Sequence, residues 1–311
     1  HVEVVRMLLD QGADIDKATD SGATPLLVAS QEGHVEVVSM LLERGADIDK
    51  AADDGCTPLF IASVKDHVEV VRLLIEAGAE TDKAKNKGET PLFIASHNSH
   101  VEVVRMLLDQ GAYIDKARNG GFTPLLVASQ NGHVEVVSML LERGADINKA
   151  NDNGVTPLFI ASDNDHVEVV RMLLEQGADI NKAMNSGLTP LFAASYEGHV
   201  EVVRMLLDQG AYINKATDSG VTPLYIASQN GHGDVVRLLI EAGAETDKAN
   251  EDGWTPLLVA SENGHGDVVR MLVEKGVDIN KAKNNGATPL LIASQQGHVK
   301  VMIVLMEKVL T

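Results

Sequence analysis

The sequence predicts an all-α solenoid in which one small helical unit is stacked on copies of itself. Nine Thr-Pro-Leu triplets, from Thr24 to Thr288, recur at a spacing of 33 residues and account for every proline in the chain. A common frame surrounds them: Gly two residues before the Thr, Ala-Ser four residues after the Pro, then His, Val-Val and Gly-Ala. Apolar residues make up 44% of the chain but aromatics only 3%, so the core must come from Val, Leu, Ile, Met and Ala. A fixed period of this length marks a repeat array whose units touch only their neighbours. It overrides the two or three globular domains that 311 residues would otherwise suggest.

Residues 19–51 serve as the unit. Thr24-Pro25 reads as a helix start, because the Thr hydroxyl can accept from an orphan N–H and Pro at the first helical position has none to lose. Leu26, Val28 and Ala29 supply the apolar side of a short first helix, and Gly33 ends it in a left-handed conformation. A second helix runs from about Val35 to Arg44, burying Val35, Val37, Val38, Leu41 and Leu42, and Gly45 closes it. From Asp47 onward a polar, Gly-bearing stretch reads as a protruding turn. Helices of about ten residues do not persist alone in water, so burial against the next copy must supply the stability.

Gly-x-Thr-Pro-Leu followed by Ala, Gly-His, Val-Val, Leu-Leu and Gly-Ala in 33 residues resembles the ankyrin repeat. The resemblance covers the whole chain as a single array of about ten repeats. A partial repeat at 1–18 precedes full repeats at 19–51, 52–84, 85–117, 118–150, 151–183, 184–216, 217–249 and 250–282, and a near-complete one at 283–311 follows. It implies antiparallel helix pairs stacked into a curved solenoid, with β-turn fingers projecting from them.

Several places depart from the family pattern. The His usual after Thr-Pro-Leu is replaced by Leu27, Phe60, Phe93, Leu126, Phe159, Phe192, Tyr225, Leu258 and Leu291, which predicts a more apolar joint between copies. Asp66, Ser99 and Asp165 stand for the Gly before His, where a left-handed backbone is expected. Gly233 and Gly266 replace Val at the start of second helices, at a cost of about 0.5–1 kcal/mol each beyond the lost apolar contact. Residues 1–79 and 100–178 are near copies offset by 99, so blocks of three units were duplicated. The chain opens at His1 in mid-unit and reads as a fragment of something longer. At the other end Ile303 takes the place of Arg or Ser, and Val309 that of the terminating Gly; this last helix is expected to wrap over the end of the array.

A net charge of −19 argues against nucleic acid and anionic membranes; it reads first as a device for solubility, with a preference for basic partners as the alternative. The single cysteine, Cys56, cannot form an internal disulfide, which fits the cytosol or the nucleus. No apolar run reaches the length of a membrane span.

Ten of the eleven histidines share one register, His1 to His298. Successive ones lie about 8–10 Å apart at helix-packing distances, too far to share a tetrahedral ion. The resemblance assigns them to the turn into the second helix. His97 and His100 lack a third ligand. Asp-rich fingers such as Asp49 to Asp54 lack the alternating ligands of a calcium loop and read as solvated turn carboxylates. Arg72, Arg105, Arg171 and Arg204 can pair with acids on both sides along their helices, as Arg72 can with Glu69 and Glu76, and nine of the ten methionines fall on second helices as core filler. No catalytic residue, cofactor-binding loop or metal cluster is expected, and the chain is not read as an enzyme.

The variable registers locate what the protein discriminates. The residue between Gly and Thr reads Phe122, Val155, Leu188, Val221 and Trp254 in five successive copies, joined by Tyr196, Met184 and Arg118. By resemblance these face the concave groove, and aromatic and Arg anchors dominate interface energetics. Tyr113 and Tyr212 are weaker candidates, and the finger with Lys85, Lys87 and Glu89 is expected to contribute less. The function expected is a monomeric, non-catalytic scaffold that binds a protein or peptide. The alternatives are a structural or elastic spacer in a larger protein or channel, or a regulatory region attached to an enzyme outside this chain.

Overall fold

The computed structural model describes residues 2–309, so His1, first of the register histidines, lies outside the described residues. Regular structure among them is helical throughout, and two compact units divide between Asp152 and Asn153. The first unit holds α1 (Val2–Asp10) and four pairs: α2 (Pro25–Gln31) with α3 (Val35–Glu43), α4 (Pro58–Val64) with α5 (Val68–Glu76), α6 (Pro91–His97) with α7 (Val101–Asp109), and α8 (Pro124–Gln130) with α9 (Val134–Glu142). The second holds five: α10 (Pro157–Asp163) with α11 (Val167–Glu175), α12 (Pro190–Glu197) with α13 (Val200–Asp208), α14 (Pro223–Asn230) with α15 (Gly233–Glu241), α16 (Pro256–Glu262) with α17 (Gly266–Lys275), and α18 (Pro289–Gln296) with α19 (Val299–Val309). Within each unit a first helix packs on its own second helix and on the first helix of the next pair, as the stacked solenoid requires.

The local signals act as the sequence implies. Every first helix starts at its Pro, with the preceding Thr accepting the N–H three residues on, as Thr24 does from Leu27 at 3.2 Å. Gly33 and Gly45, at φ 71° and 82°, follow the ends of α2 and α3. Asp66, Ser99 and Asp165 do adopt the left-handed region, at φ 58°, 63° and 58°, a conformation that costs a non-glycine residue about 1–2 kcal/mol.

The core is the Leu of Thr-Pro-Leu, the second-helix Val-Val and the Leu three residues beyond: in the first unit Leu59, Val70, Val71 and Leu74 are fully or almost fully buried, in the second Leu191, Val202, Val203 and Leu206. Each fully buried Leu or Val stabilises the array by about 1.5–3 kcal/mol. The residues standing for the family's His are buried too, Phe60, Phe93 and Leu126 in one unit and Phe159, Tyr225 and Leu258 in the other; Leu291, in the last pair, is 56% exposed.

Two repeated polar links tie each copy to the one before. His67 Nε2 sits 2.9 Å from the Gln31 carbonyl, and His199, His232, His265 and His298 repeat the contact in the second unit. The register histidines therefore bridge copies by capping the preceding helix, rather than only closing their own turn. His100 bonds instead through Nδ1 to the Ser63 carbonyl, 2.8 Å away. The second link is a carboxylate. Asp49 accepts the N–H of Glu80, and its own carbonyl accepts from Lys83 Nζ at 2.8 Å; Asp82 does the same for Tyr113 and Lys116. These acids are joints, not the solvated turn carboxylates expected. Burial pushes the Asp49 carboxyl up from its ordinary value, against the opposing Glu80 hydrogen bond.

Three further expectations are corrected. Among the second-helix methionines only Met40 and Met139 are buried; most others are half-buried, and Met7, on α1 with no first helix packed beside it among the described residues, is 60% exposed. Ile303 is 49% exposed and Met306 is exposed beside it, so α19 does not wrap them over the end of the array, although its backbone does run on through Val309. The helix arginines pair with one acid, three residues earlier: Arg72 with Glu69, Arg105 with Glu102, Arg171 with Glu168.

Candidate functional site

Each finger is a closed loop of five residues. In the first unit the Arg118 N–H donates to the Phe122 carbonyl and the Gly121 N–H to the Arg118 carbonyl, both at 3.0 Å. Gly120 and Gly121 carry φ of 88° and 78°, which a side chain would resist. One backbone bond links neighbouring fingers, the Asn119 N–H donating to the Lys87 carbonyl at 2.9 Å. The loop thereby aims Arg118 and Phe122 at one another. The guanidinium carbon lies 4.5 Å from the Phe122 ring centre and 5.5 Å from that of Phe93, so both rings are within cation–π reach of Arg118. Both Arg118 and Phe122 are half-buried.

The neighbouring finger carries Lys85, whose Nζ lies 2.8 Å from Asp54 Oδ2 and 5.7 Å from the Phe60 ring centre. That hydrogen bond pulls the Asp54 carboxyl below its usual value and raises Lys85. Cys56 is buried beneath, and desolvation, helped by the Asp54 charge, pushes its thiol up to about 11.

In the second unit Val155, Leu188, Val221 and Trp254 are all half-buried at the same register. The Met184 N–H donates to the Leu188 carbonyl, that of Thr217 to Val221 and that of Asn250 to Trp254, which fixes each side chain on its finger. Trp254 also donates its N–H to Asn250 Oδ1 at 2.8 Å, and Lys283 Nζ lies 4.1 Å from its ring centre. Met184 is half-buried at the base of its finger. Tyr196 is not on a finger but in the last turn of α12, 46% exposed, and its carbonyl takes both His232 Nε2 and Asn230 Nδ2. Asp163 ends α10; desolvation and the Glu197 charge raise its carboxyl, with His199 opposing. Burial, with Glu262 and Asp252 nearby, pushes the Tyr225 phenol up to about 12.

The candidates thus fall into one cluster of two on the first unit and a row on the second. Sequence reasoning missed Phe93 and Lys283, which stack on Arg118 and Trp254 from positions 25 and 29 residues away. It also ranked Tyr113 and Tyr212 low, yet at 69% and 65% they are the most exposed large hydrophobic side chains of the two units among the described residues. Their N–H groups are held by Asp82 and Asn181, which leaves the rings standing in solvent.

On the second-helix side, Gly233 and Gly266 open a cleft of about 520 Å³ between α15 and α17. Asp234, Asp267, Arg237 and Lys300 line it, so opposite charges share it. Among the described residues no three His, Cys, Asp or Glu side chains converge to hold a metal, and no helix is long and apolar enough to cross a membrane.

A comparison with curated proteins gave no match. The family model described as ankyrin repeats (3 copies) matches in overlapping segments, 1–52, 49–118, 80–151, 114–184, 149–217, 178–250 and 243–310. Ankyrin repeats are protein–protein interaction modules and typically non-catalytic. With its period, its capped helix pairs and this match along nearly the whole length, the chain belongs to the ankyrin-repeat family.

Proposed function

We propose that the chain is a non-catalytic scaffold that holds a protein or peptide against the face formed by its fingers and first helices. The observation that carries this reading is the half-buried apolar row of the second unit, Val155, Leu188, Val221 and Trp254, on a framework whose capping and core positions hardly vary. Side chains that are partly covered yet reachable lose little entropy on contact, and Trp is among the strongest interface anchors. Tyr196 and Met184 join the row on the second unit, and Arg118 with Phe122 forms a candidate pair on the first. The net charge of −19 would draw a partner of net positive charge through its long-range field.

Capture of partners from a lysate by the full chain, repeated with Phe122→Ala and Trp254→Ala, tests the reading. Partners retained by the wild type should weaken by about tenfold or more with Trp254→Ala while the thermal midpoint hardly moves. Unchanged affinity in both variants, with folding intact, would overturn the assignment of this face.

A further inference from the structure

We propose that Arg118 is a receptor for a single carboxylate, presented by an Asp or Glu of the bound segment; this rests on the reading of the finger face as the binding face. Eight of the ten arginines, Arg118 and Arg237 excepted, have a carboxylate within 4 Å. In a chain with 45 acidic residues against 26 basic ones, an arginine without one stands out. Arg237 is exposed beside Asp234 and Asp267, which leaves it little claim on an incoming anion. Arg118 is different. Its guanidinium carbon lies 4.5 Å and 5.5 Å from the ring centres of Phe122 and Phe93, and no hydrogen bond or ion pair to it occurs among the described residues.

Contact with a ring satisfies none of a guanidinium's five N–H donors, which stay available for a planar, two-oxygen acceptor. The two rings also restrict the side chain before a ligand arrives, which removes part of the ordering cost of binding. The aromatic flanks select an apolar residue beside the acid. One guanidinium suits a monoanionic carboxylate, whereas a phosphate of nearly two charges asks for a cluster of cations. The acidic field of the chain disfavours the phosphate further.

A random peptide library panned against the full chain provides the test. Binders sensitive to Phe122→Ala should share an Asp or Glu. Changing that acid to Asn or Gln should weaken binding to the wild type by about tenfold, but by no more than about twofold to Arg118→Lys, which keeps the charge and loses the planar fork. Phe122-sensitive binders indifferent to the acid would overturn the carboxylate receptor and leave the binding face standing. Tighter binding with phosphoserine in place of the acid would also overturn it. A library yielding no Phe122-sensitive binder would overturn both for this unit.

Discussion

The His232 ring lies over Gly198, in the copy before it, so closely that a Cβ at 198 would stand 2.6 Å from Nδ1. Its other nitrogen reaches the Tyr196 carbonyl at 2.8 Å. Gly198→Ala therefore meets two penalties, a left-handed φ of 84° and a clash with a side chain held in place. Gly210 has the same φ of 84° and nothing within 4 Å of its virtual Cβ. Urea unfolding should show a loss of about 1 kcal/mol for Gly210→Ala and at least about 2 kcal/mol for Gly198→Ala. Equal losses would mean that the imidazole moves aside freely.

Asp82 holds the Tyr113 N–H at 3.0 Å, and Asn181 holds the Tyr212 N–H at 2.8 Å. Asn can thus replace Asp in this joint. Asp82→Asn should be close to neutral and Asp82→Ala should cost about 0.5–1.5 kcal/mol, with faster amide exchange at Tyr113. Equal exchange in the two variants would remove the joint from the account.

Cys56 is buried, with its thiol pushed up to about 11, so little thiolate forms at pH 8. Alkylation by iodoacetamide should be at least about tenfold slower in the folded chain than in urea, and should speed up as pH rises. Rapid labelling of the folded chain would show that the finger above it opens.

Asp163 binds its proton more tightly folded than unfolded, since desolvation and Glu197 raise its carboxyl. Its ionisation therefore costs stability as pH climbs from the ordinary carboxylate value through the raised one. The thermal midpoint of Asp163→Asn should exceed that of the wild type at pH 7, and the gap should close by pH 3. A gap that persists in acid would trace to something other than charge.

Whatever depends on residues within a few positions of one another was legible in the sequence. Thr24 caps Leu27 three residues away, and Asp66 takes the left-handed turn its place demands. What depends on the neighbouring copy was not. The carbonyl that meets His67 lies 36 residues earlier, and the N–H that meets Asp49 lies 31 residues later, so neither partner is marked by local pattern. Exposure at the edge of a helix stripe was also hidden, because Met40 and Met7 occupy the same register and differ only in what covers them. At the candidate site the sequence picked out Arg118 and Phe122, but the second ring, Phe93, belongs to the copy before.

The backward reach of these links bears on how such a gene can change. Apart from His100, whose partner lies 37 residues earlier, the His, Asp and Lys joints among the described residues connect a residue to the copy beside it at an offset of 36, 31 or 34 residues. Recombination that removes or inserts a whole number of periods within such a run hands each side chain an equivalent partner, leaving none orphaned. The near-identity of residues 1–79 and 100–178, offset by three whole periods, is what that tolerance permits.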